Sequence, residues 1–122
     1  MLEVKLLIDE HDLVQLESLG TVSRDGWGLG TNPIEQACGP AVYSRKVLLS
    51  LASCRYLDST GVEWLLRCHK RFAMAGGMLI IHSVAPVVSQ ILKLMRMDLV
   101  LNLAENETQA RSLLEGATGG DH

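Results

Sequence analysis

The sequence predicts an α/β fold, a four- or five-stranded mixed sheet flanked by helices, and three observations carry that expectation. Two short apolar runs, residues 47–52 and 78–82, lack the alternation of a half-wet strand and read as strands covered on both faces. Each is followed by apolar residues at helical spacing. Between run and helix stand small polar residues or a proline, the residue types with which helices begin.

In chain order, residues 4–8 and 13–19 read as two strands of an antiparallel hairpin joined by a polar turn at 9–12, the second alternating cleanly. Gly26, Gly28 and Gly30 then require a loop. That loop has neither a GKS or GKT ending nor a full GxGxxG, so a nucleotide cradle is a poor reading of it. Trp27 within it either folds back on the core or contributes to a binding surface. Asn32, Pro33 and Glu35 form a helix start, and Pro40 ends or kinks that helix beyond Cys38.

Residues 47–72 form the central stretch. The strand at 47–52 is followed by Arg55, Tyr56 and Leu57, and then by Asp58, Ser59, Thr60 and Gly61 at a helix start. On that helix Val62, Leu65, Leu66, His69, Phe72 and Ala73 share one face, opposite Glu63, Arg67, Lys70 and Arg71. Trp64 and Cys68 fall off this stripe, so Trp64 is expected to face outward near Ser59 or to pack beneath a loop. Gly76 and Gly77 stop the helix before the strand at 78–82. Pro86 opens a helix whose stripe is Val88, Ile91, Leu92 and Met95, with Met95 and Met97 filling gaps in the core. A last strand at 99–103 leads to a capping box at Asn106 and Gln109 and a helix ending near Gly116.

At 122 residues, with 48% hydrophobic and 20% charged content, the chain suits a single domain over 1–116 and a disordered tail at 117–122. A formal charge of -3 leaves no electrostatic footprint for nucleic acid. No apolar run approaches the roughly 18 residues of a membrane span. The first residues lack the pattern of a signal peptide, which points to the cytoplasm. Cys38, Cys54 and Cys68 are odd in number and have no CxxC spacing, so no disulfide framework, metal site or cofactor is expected.

The chemistry concentrates at Ser59. A hydroxyl at a helix N-terminus meets unpaired N–H groups and the positive end of the helix dipole, which favour a phosphoryl group there. Capping of the helix by Asp58, Ser59 and Thr60 is the better account of the local pattern taken alone, and it requires no function. A hydrolase reading, with Ser59, Asp58 and His69 or His82 as a triad, fails because Asp58 adjoins Ser59 and no G-x-S-x-G elbow is present.

The segment Tyr56-Leu57-Asp58-Ser59-Thr60-Gly61-Val62 resembles the phosphorylation-site signature of the STAS domain, in the family of bacterial anti-sigma-factor antagonists. The likeness continues through residues 65–71, Ala75-Gly76-Gly77, the strand at 78–82 and Ser83-Val84-Ala85-Pro86, and spans about 47–114. It departs from the family at Ser50, where an aspartate often ends the third strand, and at Arg96, where a glycine often stands. The resemblance implies no enzyme. It implies a transcription-regulating phosphoprotein, phosphorylated on Ser59 by a partner that is both anti-sigma factor and serine kinase, with a PP2C-type phosphatase as a further partner. Asp58, Thr60, Gly61 and Trp64 would contact the partner, Thr60 also serving as N-cap or second phosphoacceptor. The alternative is a STAS module that binds without phosphorylation, as in stressosome scaffolds or lipid-transport complexes.

Overall fold

Both apolar runs are inner strands. The computed structural model describes residues 2–10, 13–22 and 33–119. Its sheet has five strands that pair in chain order: β1 (Leu2–Glu10), β2 (Leu13–Val22), β3 (Lys46–Leu57), β4 (Met78–His82) and β5 (Asn102–Ala104). β1 and β2 form the antiparallel hairpin, and the other three pairings are parallel. The helices are α1 (Pro33–Cys38), α2 (Ser59–Ala75), α3 (Pro86–Leu94) and α4 (Glu107–Gly119), with 3-10 turns at Pro40–Ser44 and Met97–Leu99.

The missing alternation in β3 and β4 has a direct cause, since helices cover both faces of the sheet. Val47, Leu49, Leu51, Leu79 and Ile81 join the larger core with Val62, Leu65 and Phe72 of α2 and Val88 and Leu92 of α3. Leu48 and Ile80 point the other way, against Ala110 and Leu114 of α4. At about 25 cal/mol per Å² of apolar surface, burying a Leu or Ile side chain stabilises the fold by about 1.5–3 kcal/mol.

Several boundaries differ from the sequence reading. β3 does not stop at 52 or at Ser50; it runs to Leu57, beyond its last pair with β4 at Ser50 and His82, because β2 accompanies it to Val22. Pro40 ends α1 as a regular helix: Gly39 takes φ 87 and the chain resumes as a 3-10 turn. β5 begins later than residue 99, since Met97–Leu99 forms a turn first. Met97 does pack against the core, whereas Met95 is 41% exposed and fills no gap. α4 continues to Gly119, past the expected end at Gly116. Its start has the expected cap: Asn106 Oδ1 accepts from Gln109 N at 2.8 Å, and Gln109 Oε1 from Glu105 N at 2.6 Å. The loop with Trp27 and Gly26 to Gly30, and residues 120–122 of the tail, lie outside the described residues.

Arg96, at the position where the resemblance leads one to look for glycine, adopts φ 60 and ψ 26. A side chain in that left-handed conformation costs about 1–2 kcal/mol, which a glycine avoids.

His82, the last residue of β4, is buried with its Nδ1 2.8 Å from Ser83 Oγ. Burial holds its pKa below the ordinary 6.5, with Glu107 acting in the opposite direction. On acidification the unfolded chain binds this proton first. Its contribution to stability is therefore complete above about pH 6.5 and is lost progressively below it, until folded His82 also protonates. The melting temperature is expected to fall between pH 7.5 and 5.5, and His82→Gln to flatten that slope; an unchanged slope in the variant contradicts the assignment.

Candidate functional site

The turn between β3 and α2 is built by Asp58. Its backbone is extended (φ -95, ψ -179), which places it as the N-cap of α2, and its Oδ1 accepts from Gly61 N at 2.8 Å and from Thr60 Oγ1 at 2.6 Å. Its carbonyl accepts the first helical bond, from Val62 N at 3.0 Å. The Thr60 hydroxyl above all holds the Asp58 carboxyl below its ordinary pKa; burial, the next effect in size, opposes it, and the Gly61 and Thr60 N–H groups add to the lowering.

Ser59 is therefore the first residue of α2, and it is exposed. This serine stands at the positive end of a 17-residue helix. Thr60 is only half-exposed and is not the N-cap; Asp58 is. Gly61 is buried, so it lies under the turn and not on its outer surface.

Trp64 corrects the sequence reading most sharply. It is 1% exposed and belongs to the larger core together with Cys68. The buried face of α2 is Gly61, Val62, Trp64, Leu65, Cys68 and Phe72, while Leu66 and His69 are only half-buried and Ala73 is exposed. Trp64 is consequently a core residue and not a partner contact. Tyr56, named in the signature but given no contact role there, is 51% exposed three residues before Ser59. Its signal was the strand period: Leu57 buries its side chain, so its neighbour must point outward. Farther along α2, Glu63 pairs with Arg67 at 2.8 Å on the exposed flank.

Among the described residues no three His, Cys, Asp or Glu side chains come together as a metal site. No described helix is long and apolar enough to cross a membrane. Cys54 and Cys68 are buried and Cys38 is partly so.

The STAS domain family matches residues 7–110, which includes most of the sheet, the turn and the helices around it. The chain belongs to the STAS domain family. Solved structures have the same fold at low sequence identity. A Thermotoga maritima protein solved as a candidate anti-sigma factor antagonist superposes with a TM-score of 0.76 at 17% identity, over 93% of this chain and 94% of its own. An anti-sigma factor antagonist of Mycobacterium paratuberculosis gives 0.66 at 19% identity, over 93% and 95%. The anti-sigma factor antagonist SpoIIAA, in its unphosphorylated form, gives 0.58 at 11% identity, over 95% and 98%. No curated protein matches the chain by sequence.

Proposed function

We propose that this STAS domain is an anti-sigma-factor antagonist of the bacterial cytoplasm that grips an anti-sigma factor while Ser59 is unmodified and is released when Ser59 is phosphorylated. The observation that carries the reading is the exposed Ser59 hydroxyl, presented at the first position of α2 by an Asp58 cap. The chain acts as a binding protein, and the phosphoryl group comes from ATP through a partner that is both anti-sigma factor and serine kinase. A PP2C-type phosphatase restores the unmodified state.

The physics of the switch is electrostatic. Phosphorylation adds about -1.5 to -2 charges at pH 7, beside the Asp58 carboxylate. The positive helix end tolerates that charge, so the fold is retained. A partner packed closely over the turn must instead desolvate two adjacent anions, and the complex comes apart unless a cation meets them. Ser59 and Asp58 form the centre of the contact surface, with Thr60 at its margin and Tyr56 at its edge.

Incubation with a bacterial anti-sigma-factor serine kinase, ATP and magnesium is expected to add one phosphate by intact mass, and Ser59→Ala to abolish it. A scaffold that binds without modification takes up none.

A further inference from the structure

Two adjacent hydroxyls, Ser59 and Thr60, open α2, and they are not equivalent. Ser59 is exposed, whereas Thr60 is half-buried and its Oγ1 lies 2.6 Å from Asp58 Oδ1, the same oxygen that receives Gly61 N at 2.8 Å. From this geometry we infer that Asp58 restricts phosphoryl transfer to Ser59 by holding the Thr60 hydroxyl inside the helix cap. The inference rests on the reading of this turn as a kinase substrate, and it makes Asp58 a positioning residue that selects the acceptor.

In the transfer, the acceptor oxygen bonds to the γ-phosphorus of ATP, the bond from that phosphorus to the β,γ-bridging oxygen breaks, and ADP leaves. The hydroxyl proton passes to a base of the kinase. Ser59 needs no rearrangement of the cap to do this. Thr60 must first withdraw its proton from Asp58, opening one of the hydrogen bonds that hold the carboxylate in place. The γ-phosphate then has to approach an oxygen that sits 2.6 Å from a carboxylate oxygen, anion against anion. Asp58 is also a poor base for Thr60, because the Thr60 hydroxyl and the helix N–H groups stabilise its ionised form.

The wild-type chain and three variants separate these effects: S59A, S59A with D58N, and S59A with D58A. The D58N side chain keeps an amide oxygen that can accept from Thr60 and Gly61, whereas the D58A side chain has no acceptor. Each is incubated with a bacterial anti-sigma-factor serine kinase, ATP and magnesium, and the modified residue is located by fragment mass spectrometry, with circular dichroism confirming that each variant is folded. The wild type is expected to carry phosphate on Ser59 alone. S59A and S59A with D58N are expected to carry at most trace phosphate on Thr60, and S59A with D58A to carry at least tenfold more there than either. Equal Thr60 occupancy in the three variants, whether high or nil, overturns the gating role while leaving the Ser59 switch intact. A wild type that takes up no phosphate overturns the switch and the gate together.

Discussion

Trp64→Ala is expected to destabilise the protein by about 3–5 kcal/mol, the range for truncating a large buried aromatic side chain. Trp64 is 1% exposed in the larger core, beside Leu65, Cys68 and the inner strands. Its removal leaves a cavity that the rigid sheet cannot close. Because domains of this kind are stable by about 5–15 kcal/mol in total, the variant should show a strongly lowered denaturant midpoint and partial unfolding near physiological temperature. Trp64→Phe keeps much of the volume and should cost far less. A second readout is fluorescence: with Trp27 replaced by Phe, the remaining indole is expected to emit at short wavelength and resist quenching by iodide. A variant that melts like the wild type and only loses partner binding would return Trp64 to the surface.

Gly77→Ala is expected to destabilise the protein too, by less than the loss of Trp64 and for a backbone reason. A Cβ at this position would collide with Tyr43 O and would lie 2.5 Å from Arg45 O and 2.9 Å from Arg45 N. These are main-chain atoms of the segment entering β3, so no side-chain rotation relieves the contact. The same segment receives β4, whose Met78 N donates to Arg45 O at 3.1 Å, and the displaced backbone must weaken that bond. Overpacking of this kind costs about 1–3 kcal/mol, occasionally more. Thermal unfolding should show a fall of several degrees or more, whereas Gly76→Ala meets no atom within 4 Å and suffers only from its φ of 86. Equal melting of wild type and Gly77→Ala contradicts the close approach.

Much of this architecture is legible in the chain because local and tertiary demands agree. Uninterrupted apolar runs mark β3 and β4, and the polar pair before Thr60 marks the start of α2. The phase of α2 was less legible. Val62, Leu65 and Phe72 fit two neighbouring faces, one extended by Leu66 and Ala73 and the other by Trp64 and Cys68. Helical periodicity alone does not choose between them, and the protein buries the face with the larger side chain. β3 was read too short because its outer half, with Ser53 exposed and bonded to Glu17 Oε2 at 2.9 Å, lacks the double-sided apolar cover of the inner half. The left-handed backbone of Arg96 has no signature in an arginine; only the resemblance pointed there. The place of Ser59 at the head of α2 was legible because the small polar residues before Val62 read as a helix start, with Asp58 as its cap.

The switch itself is tested most directly by titrating one anti-sigma factor with two preparations of this protein, unmodified and fully phosphorylated on Ser59, in the same calorimeter and buffer. Unmodified protein is expected to bind, and the phosphorylated form to bind at least tenfold more weakly while melting at nearly the same temperature. Equal affinity of the two forms would contradict the account.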